Sequence, residues 1–167
     1  CGAVLIGGLA AGAGCRSGAA NRLAGPKAEQ WVATASAAEP EHGPELALDG
    51  DTNTWWRSGS AEPQWIQADM GRAAMGCGFS VQWGVPHATA YAVLTSRDGT
   101  HWALGYETPG GDGDWDQMSI EPILARYLRV VVNKGLQGNG AALCALEIQG
   151  LADRPQIRVD GFPDPGT

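Results

Sequence analysis

The chain has 167 residues, 44% of them hydrophobic, which is enough to bury the core of one domain. Its 18 acidic residues outnumber the 11 Lys and Arg residues, and the formal charge of −7 argues against a nucleic-acid partner, which requires a basic surface. The 25 Gly, the 10 Pro and the seven widely spaced Trp favour an all-β domain of short strands.

The first 15 residues, from Cys1 to Cys15, are apolar and uncharged. A chain that opens on Cys, Gly and an apolar run resembles a mature bacterial lipoprotein, in which the first Cys is acylated. We therefore expect a covalent lipid on Cys1, with Cys15 or an uncleaved signal sequence as alternatives. As a helix the run would rise roughly 20 Å, less than the ~30 Å bilayer core, so it would anchor the chain without spanning the membrane. This predicts a location in the bacterial cell envelope, on the periplasmic or cell-surface side.

The middle of the chain carries the pattern of β-strands. Residues 16–29 read as a polar linker, 30–151 as the folded domain and 152–167 as an extended Pro- and Gly-rich tail. Strand-length segments separated by Gly, Pro or Asp occur at 31–36, 64–69, 79–83, 91–96, 102–107, 115–120, 126–132 and 143–149. Because no helical periodicity lies between them, this spacing predicts a closed or sandwiched antiparallel sheet.

Several motifs in this region resemble one family. They are Asp49–Trp56, Pro63–Gly71, Ser96–Trp102, Ala125–Val130 and Leu146–Gly150. Their order and spacing are similar to those of discoidin, or coagulation-factor type C, domains, whose bacterial members include the family 32 carbohydrate-binding modules. The resemblance implies a galactose-binding-like jelly roll, an antiparallel β-sandwich with a non-catalytic role. It also implies recognition of glycans, lipid head groups or protein surfaces by loops at one end of the barrel.

A structural calcium is the cofactor that this resemblance implies. Mapped onto this chain, the loop donors are the Leu46 carbonyl, the Asp49 side chain, the Asp51 carbonyl and Thr54. The family's Glu near the last strand falls on Ala145, with Glu147 two residues further on as its substitute. The alternative is that Asp49 only caps its own turn.

The loops expected to touch a ligand contain a small set of polar and aromatic residues. The candidates are His87, Asp112, Asp114, Trp115, Asn139 and Arg57. Trp115 could stack on a sugar ring while the carboxylates bind hydroxyls, or it could begin a strand and lie in the core. Three other tryptophans, Trp56, Trp65 and Trp83, read as core. His87 has no second His or Cys at metal-ligand spacing, so we do not expect zinc.

The chain carries no recognisable catalytic motif. Ser58 and Ser60 lack a nucleophile elbow, and the three His residues lack the spacing of a triad or a metal set. In an exported protein Cys77 and Cys144 could form a disulfide, and the alternative is two buried thiols.

Two functions follow from these observations. In the first, the chain is a non-catalytic, membrane-anchored accessory subunit that binds proteins of a membrane complex. In the second, it is a surface or periplasmic lipoprotein whose jelly-roll loops bind carbohydrate. The unusual ligand loops favour the first function, and the ordinary use of the fold favours the second.

Overall fold

The structure, a computed structural model, describes residues 31–150. Its strands are β1 (Val32–Ala35), β2 (Trp56–Arg57), β3 (Gln64–Trp83), β4 (Ala88–Ser96), β5 (Trp102–Thr108), β6 (Trp115–Gly135) and β7 (Ala142–Gln149). Short 3-10 helices at Pro44–Ala47 and Leu136–Gly138 lie in connecting loops. Every strand pair is antiparallel, so the predicted all-β, antiparallel fold is confirmed.

Two strands are much longer than the sequence pattern predicts. β3 joins the segments predicted at 64–69 and 79–83, and β6 joins those at 115–120 and 126–132. The residues that read as breaks are irregularities inside a continuing strand. The pairing of β3 with β6 shifts register between Asp69 and Ala74, where Gly71 takes a φ of +75°, and again near Pro122. Such bulges bend a strand without ending its pairing.

The bent strands β3 and β6 belong to two layers. In the first layer, β1, the beginning of β3, the end of β6, β4 and β5 lie side by side. In the second layer, β2, β7, the end of β3 and the beginning of β6 lie side by side. The Phe79 ring of the second layer approaches Gly105 of the first, where an added Cβ would come within 2.9 Å. The two layers therefore face each other as a jelly-roll sandwich.

The core fills the space between these layers. Ile66, Val93 and Val130 of the first layer and Val81 of the second are completely buried, in one continuous cluster. They alternate along their strands with residues of the outer faces, as expected when one side of a sheet is buried. Trp56 at 0% and Trp83 at 4% exposure are core residues, as predicted.

Trp65 is not a core residue, contrary to the prediction. It lies on the outer face of the first layer, where the Arg129 guanidinium stacks 4.4 Å from its ring and 4.0 Å from that of Trp102. Arg129 also donates hydrogen bonds to Gln67 Oε1. Trp65 was predicted to be buried because it is large and apolar. Side chains alternate between the two faces of β3, so Trp65 points outward while the next residue, Ile66, points into the core.

The predicted disulfide between Cys77 and Cys144 is wrong. Cys144 is a free, buried thiol, and burial raises its pKa, whereas Cys77 is disulfide-bonded but not to Cys144. Cys77 Sγ lies 3.7 Å from the Gln149 carbonyl oxygen, at the far end of β7. Several residues at about 3.3 Å each separate this point from Cys144 along the strand. That separation exceeds the ~7 Å between Cα atoms that a disulfide can bridge.

Some sequence predictions lie outside the described residues. These are the lipid on Cys1, the anchor at 1–15, the linker at 16–29 and the tail at 152–167. Within residues 31–150, the structure has no helix with the length and apolar character needed to cross a membrane.

Candidate functional site

The loops at one end of the sandwich are joined by main-chain hydrogen bonds. The loop after β2 meets the loop after β6, where Ser58 N donates to Ala141 O at 3.0 Å. The loop after β6 meets the loop after β3, where Leu136 N donates to His87 O at 2.9 Å. Segments far apart in sequence thereby form one surface, which is the end that the family resemblance assigns to ligands.

Glycine makes the closest of these approaches possible. Gly140 has a φ of +69°, and a Cβ added there would overlap the Gly59 carbonyl oxygen. An L side chain at this position would therefore force the two loops apart. Gly140 thus holds the neighbouring Asn139 close to the loop after β2.

Arg57 contacts one other predicted ligand residue, Asn139, and one acidic side chain, Glu39. Its Nη2 donates to the Asn139 carbonyl oxygen at 3.0 Å, and its Nε lies 3.4 Å from Glu39 Oε1. The Arg57 side chain is 18% exposed and that of Glu39 is 46% exposed. The structure therefore brings Arg57 and Asn139 together, and it leaves the Asn139 amide and the Glu39 carboxylate accessible to a ligand.

An aromatic pair lies beside this group. The rings of His42 and Trp55 stack with centroids 4.7 Å apart and planes inclined by 16°, and Trp55 is 36% exposed. The His42 carbonyl accepts a hydrogen bond from Arg57 N at 3.2 Å, which joins the main chain that carries the aromatic pair to that of Arg57. We call Glu39, His42, Trp55, Arg57 and Asn139 the Trp55 cluster.

The sequence analysis missed Glu39, His42 and Trp55. A signal was present for Trp55. Trp55 and the partly exposed Arg57 lie on either side of the buried Trp56 in the sequence, so both point to the face opposite to that of Trp56. No local signal identified His42, since its stacking on Trp55 depends on the path of the loop between β1 and β2.

His87 contacts a second loop instead. Its ring lies against Gly113, where an added Cβ would be 2.9 Å from His87 Nδ1. Asp112 and Asp114 flank this glycine and are exposed, and Asp114 takes a φ of +63°. His87, Asp112 and Asp114 therefore share one patch, as predicted.

Trp115 directly follows Asp114 in the chain. It begins β6 and pairs with Gln82, which places it on the outer face of the second layer. It is 42% exposed and thus is not a core residue. The next residue, Asp116, points inward and accepts hydrogen bonds from Tyr91 Oη at 2.6 Å and Trp83 Nε1 at 3.2 Å. Burial and the Asp116 carboxylate raise the pKa of Tyr91 above its ordinary value, so the Tyr91 hydroxyl stays protonated and remains the hydrogen-bond donor.

The predicted calcium loop is a compact cluster of oxygens. Thr54 Oγ1 lies 2.8 Å from Asp49 Oδ2, 2.8 Å from the Asp51 carbonyl oxygen and 3.3 Å from the Leu46 carbonyl oxygen. Asp49 Oδ1 accepts from Asp51 N at 2.8 Å, which closes an Asx-turn. The predicted loop donors thus converge, and their arrangement also fits the alternative in which Asp49 caps its own turn.

Glu147 does not complete a carboxylate site at this loop. It pairs with Ser80 and lines a depression on the outer face of the second layer together with Trp115. Residues 31–150 contain no cluster of three or more His, Cys, Asp or Glu side chains that could hold a metal. A hard cation prefers six to eight oxygens, so water would have to supply several ligands at this loop.

Comparison with known proteins gives one family and several solved structures. The F5/8 type C domain family matches residues 32–146 of the chain. No curated protein matches it.

Three solved structures illustrate the similarity. A mutant of chitosan-binding module 1 of a chitosanase/glucanase from Paenibacillus sp. IK-5 is 27% identical, with a TM-score of 0.71 over 75% of this chain and 98% of the module. Chitosan-binding module 2 of the same enzyme, in complex with chitotriose, is 28% identical, with a TM-score of 0.68 over 71% and 95%. A family 32 module from Clostridium perfringens, in complex with GalNAc-β-1,3-galactose, is 22% identical, with a TM-score of 0.68 over 75% and 99%.

Proposed function

Because the chain belongs to the F5/8 type C domain family, we propose that residues 31–150 form a non-catalytic carbohydrate-binding domain whose glycan binds at the Trp55 cluster. The observation that carries this proposal is the exposed Trp55 ring beside an amide, a carboxylate and a guanidinium, at the loop end of the sandwich. Sugar sites combine an apolar platform with a few fixed polar groups in this way.

The polar groups of the cluster are held in place before a ligand arrives. Arg57 is fixed by its bonds to Asn139 and Glu39, and His42 supports the ring of Trp55 from one side. Because these side chains are already ordered, binding costs little further conformational entropy. The free face of Trp55 would stack on a pyranose ring, while Glu39 and Asn139 would bind hydroxyl or amino groups.

We further propose that the preferred glycan contains amino sugars. The chain carries a net charge of −7, and Glu39 and the exposed Glu41 add carboxylates at the Trp55 cluster. Opposite charge favours a cationic ligand. The two chitosan-binding modules that are 27% and 28% identical support the same class of ligand.

Titration calorimetry with chitotriose and with its fully N-acetylated, uncharged form would test this function. We expect chitotriose to bind more tightly, and added salt to reduce that preference. Trp55→Ala should weaken binding of both sugars at the Trp55 cluster at least tenfold, or about 1.4 kcal/mol, because the stacking platform is lost. Glu39→Gln should weaken only the binding of chitotriose.

Leu104→Ala provides the control, since it removes another exposed apolar side chain, 60% accessible, from β5 of the first layer. It should leave both affinities unchanged. If Trp55→Ala binds both sugars with the wild-type stoichiometry and within twofold of the wild-type affinity, the Trp55 cluster is not the site.

The comparisons support this carbohydrate function more than an accessory role in a membrane complex. That role was the main prediction, from the unusual ligand loops and the N-terminal 15 residues, and those 15 residues lie outside the described part of the chain. The lipid on Cys1 and the cell-envelope location stay predictions, and an acyl mass on the intact native chain would test them.

A further inference from the structure

The outer face of the second layer is a polar surface built by three neighbouring strands. Ser80 and Gln82 of β3 pair with Gln117 and Trp115 of β6, and Ser80 also pairs with Glu147 of β7. Residues paired across an antiparallel sheet point to the same side. Since Phe79 and Val81 of β3 point into the core, these five residues point outward.

Side-chain size gives this face the shape of a trough. The middle strand contributes the small Ser80, whereas β6 contributes Trp115 and Gln117 on one side and β7 contributes Glu147 on the other. Strands on either side of a middle strand lie about 10 Å apart. The resulting depression, about 460 Å³ in volume, is lined by Ser80, Trp115, Gln117 and Glu147. We call it the outer trough.

Polar atoms at the outer trough lack partners. Ser80 is 1% exposed, and its hydroxyl makes no hydrogen bond within the described part of the chain. The Oε1 atom of its neighbour Gln82 is also buried without a partner. An unsatisfied buried polar group is destabilising, so native proteins seldom leave one without a partner. Ser80 lines the depression, so a ligand hydroxyl there would supply the partner that the Ser80 hydroxyl lacks.

The chemistry of the lining identifies the class of ligand. Trp115, 42% exposed, offers an aromatic face. Gln117 and Glu147 offer amide and carboxylate groups, and the negative charge of Glu147 suits an amino sugar. We propose that the outer trough is a second carbohydrate-binding surface, which holds a sugar chain along β3 with Trp115 as its stacking platform.

This inference rests on the proposed function for its class of ligand and adds a site away from the Trp55 cluster. Both sites carry one exposed Trp, so a short sugar should bind twice. Calorimetric titration with chitotriose should give a stoichiometry of two on the wild-type chain and of one on Trp55→Ala and on Trp115→Ala. The double variant should bind none, while Trp115→Phe, which keeps a flat ring, should retain the second site.

Smaller variants test the lining itself. In the Trp55→Ala background, Ser80→Ala and Glu147→Gln should each weaken the remaining site several-fold, whereas Leu104→Ala, on the other layer, should not. Far-UV circular dichroism of each variant, matched to the wild type, would show that the fold is kept.

The outcomes separate the two proposals. If Trp115→Ala leaves stoichiometry and affinity unchanged while Trp55→Ala abolishes binding, the outer trough is refuted and the Trp55 cluster stands. If only Trp115→Ala abolishes binding, the outer trough is the site and the Trp55 cluster is wrong. If the wild-type chain binds neither chitotriose nor its N-acetylated form, both proposals fail.

Discussion

Replacing Tyr91 by Phe would test the buried hydrogen bonds that support the ligand loops. The Tyr91 hydroxyl donates to Asp116 Oδ2 at 2.6 Å, and Trp83 Nε1 donates to the same oxygen at 3.2 Å. Tyr91 is fully buried, and the rings of Tyr91 and Trp83 meet edge to face with centroids 5.0 Å apart. The substitution removes one oxygen and leaves the ring packing intact.

The expected loss follows from the charge of the acceptor. A hydrogen bond to a charged group contributes about 1.5–3 kcal/mol, and here the partly buried Asp116 would keep only the longer bond from Trp83. We therefore expect Tyr91→Phe to lower the free energy of unfolding by about 2 kcal/mol. For a domain of this size, that corresponds to a fall of about 8 °C in the midpoint of thermal unfolding.

Tyr106→Phe is the matched control. Tyr106 packs on Tyr91 with ring centroids 5.9 Å apart, but its hydroxyl has no hydrogen-bond partner in the described residues. The same chemical change there should cost less than about 0.5 kcal/mol. Urea titrations followed by Trp fluorescence would measure both variants, with an unchanged dependence on urea as evidence that the unfolded state is not altered.

A double-mutant cycle with Asp116→Asn would isolate the interaction, and its coupling energy should exceed about 1 kcal/mol. Equal losses for Tyr91→Phe and Tyr106→Phe, or a coupling energy near zero, would refute the role assigned to this hydrogen bond.

Two further predictions concern charge. Arg126 donates to both carboxylate oxygens of Asp69 at 2.8 and 2.9 Å, which lowers the Asp69 pKa. This ion pair therefore stabilises the fold above about pH 4, and the stabilisation is lost as the pH falls through the lowered pKa. Because the Arg126 side chain is 38% exposed, Asp69→Asn should lower the free energy of unfolding by only about 1 kcal/mol at pH 7. Urea titrations should show that this difference from the wild type shrinks towards pH 2. A difference that is the same at every pH would contradict the prediction. If calcium binds the Asp49 turn, the midpoint of thermal unfolding should be higher in 1 mM calcium than in EDTA. Asp49→Ala should abolish this increase, whereas the control Asp98→Ala, in another Asx-turn, should retain it. An identical midpoint in calcium and EDTA would leave Asp49 as a turn cap.

The strands and the core could be predicted from the sequence because their signals are local. The strand predicted at 126–132 lies within β6, where Leu128 and Val130 are completely buried. The Asp-Gly turn likewise predicted that Asp49, Asp51 and Thr54 come together, because neighbours within a few residues of a tight turn cannot lie far apart.

The candidate sites needed the tertiary structure. Trp115 was predicted as a loop ligand or a core residue; its exposure excludes the core, and its pairing with Gln82 places it on an outer face. Glu147 was predicted as a calcium ligand, but it shares a depression with Ser80 and Trp115. The Cys77–Cys144 disulfide failed for the same kind of reason, since their separation depends on how β3 and β7 align.

By itself, the sequence determined that this chain forms strands with one buried face, separated by Gly- and Pro-rich turns, around a single core. Only the tertiary structure decided which outward residues become neighbours. His42 reaches Trp55, and Gln117 faces Glu147 across Ser80 of β3, through loop paths and strand pairings that join distant segments. Side chains alternate between the two faces of a strand every two residues, so the buried face can be predicted from a short stretch of sequence. The order and register of the strands depend on the packing of the whole domain.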